Sequence, residues 1–299
     1  MNARERGFLL LTSHLGDPDR KELTAAQLRV LADRVRGLDA PEEDRELSEN
    51  DLVKMGYNRE MSRRIVQLLG EESRLDHYLK AGTRRDCIPV TRVSEGYPLL
   101  LRQRLGLDSP GCLWCKGDIK ILNTPAISLV GSRELRDENR TFAEAVGYRA
   151  AMAGLTLVSG NARGADRAAQ EACLQAGGRV VSIVADELGK QPQRRNLLYV
   201  SEEDFDAPFS AQRALSRNRC IHALGRMVFV AQSDLHRGGT WDGTVKNLRF
   251  GWSNVACFRD GSEAMKQLEQ MGAYGISIQD LEDFSHLLTA ELDQLTIEN

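Results

Sequence analysis

The period of the hydrophobic positions changes along this chain. Up to about residue 80, apolar residues recur every three or four positions. TAAQLRVLADRVRGL sets Leu28, Leu31, Val35 and Leu38 on one stripe, and Thr24 can cap its start. The polar run DAPEEDRELSEN breaks the pattern, ENDLVKMGYN reads as a small helix–turn–helix step, and NREMSRRIVQLLGEESRLDHYLKAG continues as one or two helices. Residues 1–82 are therefore expected to form a small all-helical domain. CIPVTRV at 87–93 is a short extended element, and EGYPLLLRQRLGLDSPGCLWCKGD reads as a connector.

From residue 126 short apolar runs alternate with amphipathic segments. AISLVG, LTLVSG, RVVSIVAD, RMVFVAQ and NVACFRD read as strands. The helix after the first has Phe142, Val146, Ala150 and Ala153 on one side. The helix after the second carries Ala165, Ala168, Ala169, Ala172 and Ala176 on one stripe, then stops on glycines. This alternation predicts an α/β fold, a parallel or mixed sheet flanked by helices, over residues 83–276. IQDLEDFSHLLTAELDQL predicts a C-terminal helix within 277–299.

Composition narrows the class. With 299 residues, 41% hydrophobic and 28% charged, the chain has enough apolar residues for a sizeable core in one large or two ordinary domains. A formal net charge of −3 excludes a global basic field, so any anion site must be local. No apolar stretch approaches the roughly 18 residues of a membrane span. The opening MNARERGFLLLTSHLG has too short an apolar run and no small-residue cleavage site, so a cytoplasmic location without membrane association is expected. Among the six cysteines only Cys112 and Cys115 form a CxxC. No second pair completes a zinc site, and the following KGD reads as a strand end rather than a helix opening. Buried thiols without metal or redox duty are expected.

In an open parallel sheet, ligands bind beyond the carboxyl ends of the strands. Gly131-Ser132-Arg133 follows the first strand. Ser159-Gly160-Asn161-Ala162-Arg163-Gly164 follows the second, with Asp166 in the next helical turn. Ser233 and then His236-Arg237-Gly238-Gly239-Thr240 follow the RMVFVAQ strand. Glycine lets backbone approach a ligand, helix-start N–H groups donate to anions, and arginine offers a two-pronged phosphate partner. Together the three loops predict an anion pocket. Asp166 either balances its helix start or orients Arg163. Arg213, Arg217 and Arg219 lie within seven residues, either as a solvated face or lining the same edge. Neither GxGxxG nor GxxxxGK[ST] is present, so no dinucleotide cofactor and no nucleoside triphosphate hydrolysis is expected.

GSR, SGNARGAD and SRNRCIHALG, in this order, resemble the VGSR, SGxARGID and RNRIIAGLS patterns of the DprA/Smf family of DNA-processing proteins. The approach from Tyr97 to Leu101, SPGCLWCKGD, and GSEAMKQLEQMGA at 261–273 are similar to further family patterns, so the likeness spans about residues 90–275. The resemblance implies an extended Rossmann-like domain that binds single-stranded DNA, loads a RecA-type recombinase in natural transformation, forms a homodimer and catalyses nothing. By position, Arg133 and Arg163 match arginines of the family's positive pocket, Arg217, Asn218 and Arg219 its RNR, and Lys190 a basic residue after its third strand. The chain departs from the family where ADELGKQPQRRNLLYVSEEDF shortens a segment and where HRGGTWDGT replaces SGSL.TA. It reads as a diverged member without the C-terminal winged helix. Trp241 either stacks on bases or packs beneath its loop. The alternative function is a nucleotide-binding sensor or nucleotide-processing enzyme. Related folds use a GGxGTxxE loop, which GGTWDGT echoes, but Asn247 stands where the glutamate would be.

Overall fold

The structure is a computed structural model that describes residues 1–17, 19–36 and 47–288. Leu38, most of the polar run after it and the last part of the expected C-terminal helix lie outside the described residues.

Five helices open the chain: α1 (Ala3–Thr12), α2 (Ala25–Arg36), α3 (Glu49–Lys54), α4 (Arg59–Leu69) and α5 (Glu72–Thr83). Side-chain caps fix where most of them start. Asn2 and Glu5 form a reciprocal capping box on α1, and Ser48 and Asp51 form one on α3. Thr24 and Gln27 do the same before α2, and Asn58 accepts from the Met61 N–H at the start of α4. Leu11, Leu23, Leu31, Leu52, Ile65 and Leu68 pack into one buried cluster among these helices. Leu9 and Leu10 of α1 and Leu75 and Tyr78 of α5 turn the other way, into a core shared with the sheet that contains Trp114 and Phe205.

The sheet has nine strands among the described residues: β1 (Cys87–Thr91), β2 (Cys112–Lys116), β3 (Ala126–Val130), β4 (Thr156–Ser159), β5 (Arg179–Ile183), β6 (Leu197–Ser201), β7 (Met227–Val230), β8 (Asn254–Phe258) and β9 (Tyr274–Ile276). Their order is β1-β2-β6-β5-β4-β3-β7-β8-β9. From β6 to β9 all neighbours are parallel, and β1 and β2 add an antiparallel edge. Around the sheet lie α6 (Leu99–Leu105), α7 (Asp137–Met152), α8 (Ala165–Gln175), α9 (Ala211–Ser216), α10 (Asn218–Leu224), α11 (Gly238–Phe250) and α12 (Glu263–Gln270).

Alternation along the strands divides the core in two. Ile127 and Leu129 of β3 join Phe142 and Val146 of α7 and Ala169 of α8 on one face. Ala126 and Val130 join Leu101 of α6, Ile221 of α10 and Met265 of α12 on the other. This is the mixed, Rossmann-like α/β architecture expected, with parallel strands buried on both faces.

The structure differs from the expectation in several places, strand β9 (Tyr274–Ile276) among them. The stretch read as a connector contains α6 and β2, because a helix of seven residues after Pro98 is too short to show a period. LLYVS is strand β6, joined to β5 through residues 184–196 with one 3-10 turn and no α-helix, so the helical punctuation that marks the other strands is missing. Cys112 and Cys115 are three apart on β2 and fall in the cores of opposite sheet faces, so they cannot act together on one ligand. Burial pushes the Cys115 thiol up to about 12. After β9 a 3-10 turn over Gln279–Asp283 leads into a helical turn that places Phe284 on Phe229, with ring centroids 5.4 Å apart. Among the described residues no helix is long and apolar enough to cross a membrane.

Candidate functional site

Successive strands β3, β4, β5 and β6 run outward in one direction, and the chain then returns to place β7 on the other side of β3. The point where the order reverses opens a crevice at the carboxyl ends of β3 and β7, where open α/β sheets bind ligands. A cleft of about 590 Å³ lies there. It is lined by the loop after β3 (Gly131, Ser132, Arg133, Glu134), the start of α8 with its preceding loop (Ala162, Arg163, Asp166), the α9–α10 junction (Leu215, Arg217, Asn218) and the loop into α11 (Asp234, Arg237 to Thr240). Three loops far apart in sequence thus share one cavity.

Backbone bonds hold these loops in register. The Ser132 N–H donates to the Gln232 carbonyl at 3.0 Å, and the Ala165 N–H donates to the Ser132 carbonyl at 3.1 Å. The Gln232 side chain accepts from the Arg136 N–H at 3.0 Å and donates to the Glu134 carbonyl at 2.9 Å. Asn139 donates to both the Ala231 carbonyl and Asp260, which also pairs with Arg136. Gly164 has φ +86°, and a β-carbon there would overlap the carbonyl oxygens of Ser132 and Arg133. Glycine alone permits this close crossing of two loops.

Arg217 lies in the wall of the cleft. It is only 7% exposed, and its Nε and Nη1 have no hydrogen-bond partner. Asp166 is 6% exposed and accepts from the Ala162 N–H at 3.3 Å. Guanidinium and carboxylate close over the Cα of Gly160, where a β-carbon would overlap both. Burial pushes the Asp166 carboxyl up to about 6, against the pull of Arg217, the Ala162 N–H and Arg133. Burial lowers the Arg217 pKa, although Asp166, Asp186 and Glu202 oppose the shift. A dehydrated guanidinium is a strong partner for an anionic oxygen. The N-termini of α8 and α11 both border this cleft.

Of the residues expected at the site, Gly131, Ser132, Arg133, Arg163, Asp166, Arg217, Asn218, Gly238, Gly239 and Thr240 line the cleft. Arg133 and Arg163 stand at its exposed rim, and Arg163 faces Glu134 at 3.6 Å. Asn218 donates to the Gly239 carbonyl at 3.0 Å and so fixes the start of α11. Five others lie outside the lining. Ser159 is fully buried beneath it, where its hydroxyl accepts from Gln170 at 2.7 Å, while Gly160 and Gly164 serve as spacers. Lys190 points to solvent and pairs with Glu187 at 2.7 Å. Arg219 turns into a neighbouring groove and pairs with Glu202 at 2.8 Å.

The arginine run therefore splits three ways. Arg213 holds the Ala207 and Pro208 carbonyls, Arg219 holds Glu202, and Arg217 alone enters the cleft. Trp241 packs beneath its loop, 8% exposed, with its ring edge-on to His236 at 5.0 Å. Arg237, named with the loop after β7, also lines the cleft, whereas Asp234, Glu134 and the supporting Gln232 were not singled out from the sequence, since nothing in their local pattern marks them.

Comparison with known proteins places this geometry. A family model described as DNA recombination-mediator protein A matches residues 89–274, the segment that carries every cleft-lining loop. The chain is 31% identical to protein Smf of Escherichia coli (strain K12) over 160 residues, 48% of this chain and 41% of that one. It is 29% identical to the DNA processing protein DprA of Streptococcus pneumoniae over 180 residues, 56% and 63% of the two chains. The matched stretches thus span less than two thirds of those relatives' own lengths. In three dimensions it is similar to the X-ray structure of the Streptococcus pneumoniae DNA processing protein A, with a TM-score of 0.69 over 93% of this chain and 96% of that one at 24% identity. It is also similar to DNA processing protein A from Helicobacter pylori, a structure titled for its single-stranded DNA binding mode, with a TM-score of 0.55 over 70% and 96% at 23% identity. With the matching segment covering well over half of its length and all of the loops around Arg217, the chain belongs to the DNA recombination-mediator protein A family.

Proposed function

We propose that this chain binds single-stranded DNA through its phosphate backbone in the cleft between β3 and β7, without catalysing a reaction, and hands the strand to a RecA-type recombinase during DNA uptake in transformation. The observation that carries the DNA-binding reading is Arg217, a buried guanidinium in the wall of a cleft whose lining also holds the exposed Arg133, Arg163 and Arg237. One dehydrated cation supplies strength, and exposed arginines around it supply the salt-dependent attraction of a polyanion. The Helicobacter pylori relative, titled for single-stranded DNA binding, supports the same choice of ligand. The recombinase, the homodimer and the role in transformation rest on family membership and complete the proposal.

The residues behind a nucleotide-processing reading are occupied otherwise. Asn247 is buried and bonds Ser253 through its amide oxygen and nitrogen, which closes the turn between α11 and β8. Asp242 pairs with Lys246 at 2.8 Å and lines the neighbouring groove rather than the cleft.

The test is fluorescence anisotropy with labelled single-stranded oligonucleotides across a salt series. Binding should weaken with a log–log slope of about −0.7 per phosphate engaged. Failure to bind at low salt, or binding indifferent to salt, would overturn the reading.

A further inference from the structure

We propose that Asp166 sets the charge class of phosphate this cleft accepts, favouring the singly charged phosphodiester linkages within a strand over doubly charged phosphate monoesters. This deepens the single-strand reading and rests on it.

The cleft lining carries Arg133, Arg163, Arg217 and Arg237 against Glu134, Asp166 and Asp234, which leaves one positive charge. Five of these seven side chains are exposed, where water screens them; only Arg217 and Asp166 are buried. In the buried part, therefore, one carboxylate already offsets the one guanidinium. A phosphodiester adds a single negative charge, which one guanidinium can balance. A monoester carries close to two negative charges and a third anionic oxygen. The buried side chains meet that oxygen with a carboxylate rather than a donor, and like charges held at low dielectric repel strongly.

The charge on Asp166 at working pH follows from its surroundings. Burial raises its carboxyl to about 6, while Arg217 from the α9–α10 junction, the Ala162 and Gly160 N–H groups and Arg133 from the loop after β3 favour ionisation. Asp186 and Glu202 face Arg217 from the β5 and β6 ends. At pH 8 the carboxylate is ionised, and a phosphate monoester, with its second pKa near 6, is fully dianionic.

The test is displacement of a labelled single-stranded oligonucleotide at pH 8 by two competitors that differ in one charge, AMP and its 5′-methyl ester. Wild type should be displaced by the ester at a concentration at least tenfold lower than by AMP. Asp166→Asn, which keeps an oxygen for the Ala162 N–H, should narrow that ratio to about threefold or less or reverse it. Asp234→Asn changes the lining charge equally but at an exposed position, and should leave the ratio within about twofold. Equal displacement of wild type, preference for AMP, or no displacement by either competitor overturns the inference, and needs no variant to fold. An oligonucleotide that does not bind at all overturns the single-strand reading instead. An unchanged ratio in a folded Asp166→Asn protein removes Asp166 as its cause.

Discussion

Arg217→Met should abolish most of the affinity for single-stranded DNA, whereas loss of its neighbour Arg219 should barely register. Arg217 Nε and Nη1 are buried without partners on opposite edges of the guanidinium, so a phosphate that reaches it gains a charge-assisted hydrogen bond of about 1.5–3 kcal/mol. Arg217 is only 7% exposed, so folding has already removed most of its water and binding does not bear that cost again. A loss of about 1.5–3 kcal/mol follows, about 10- to 100-fold in Kd. Arg219 is engaged by Glu202 at 2.8 Å outside the cleft, and its removal should change Kd by less than about threefold. The Arg163 side chain, 73% exposed at the rim, should behave differently again, lowering the salt slope by about 0.7 with a modest loss of affinity. Arg217→Lys should recover only part of the binding, because an ammonium cannot present the paired donors of the planar fork. Since Arg217→Met leaves the Asp166 carboxylate buried beside no cation, the double variant with Asp166→Asn serves as the folding control. Anisotropy titrations with a thermal melt on each variant decide the matter. A folded Arg217→Met protein that binds within threefold of wild type refutes the reasoning, as does an equal loss from Arg219→Ala.

Three further outcomes follow from the same geometry. Gly164→Ala puts a β-carbon at φ +86° against two carbonyl oxygens, so a destabilisation of about 3 kcal/mol is expected, with a Tm lowered by at least about 5 °C; an unchanged melt would show that the two loops separate freely. His222 is fully buried with neither ring nitrogen bonded, and burial lowers its pKa to about 3. A base with a depressed folded pKa stays neutral in the fold while the unfolded chain takes up a proton. Stability from this group is therefore complete above about pH 6.5 and lost as pH falls toward 3, at about 1.4 kcal/mol per unit. Asp166, with its raised folded pKa, acts in the opposite direction between about pH 4 and 6, so the measurement is the difference between wild type and His222→Leu in urea melts at pH 7 and pH 5, expected to change by about 2 kcal/mol. Lys190→Ala should leave DNA affinity within about twofold, because its ammonium pairs with Glu187 outside the cleft; a tenfold loss would extend the site beyond β5.

The period of apolar residues was enough to place α2, α4, α7, α8 and the strands β3, β4, β5, β7 and β8, since a 3.6-residue or two-residue repeat is imposed by backbone geometry and burial alone. It failed for α6 and for the edge strands β2 and β9, where too few residues carry a repeat, and for β6, whose link from β5 has no helix to announce it. The glycine loops after β3, β4 and β7 were readable as a group because a parallel sheet brings strand ends to one edge.

What the sequence by itself determined is therefore the class of fold, the loops that meet and the family to which their motifs point. It did not rank the arginines. Arg213, Arg217 and Arg219 have the same chemistry and lie within one short stretch, yet one braces carbonyls, one answers Glu202 and one is dehydrated beneath Gly160 beside Asp166. That assignment came only from tertiary structure. The return of the chain from β6 to β7 swings α9 and α10 across the end of the sheet, and burial and partnership, rather than residue type, decide which cation is left with donors for a phosphate.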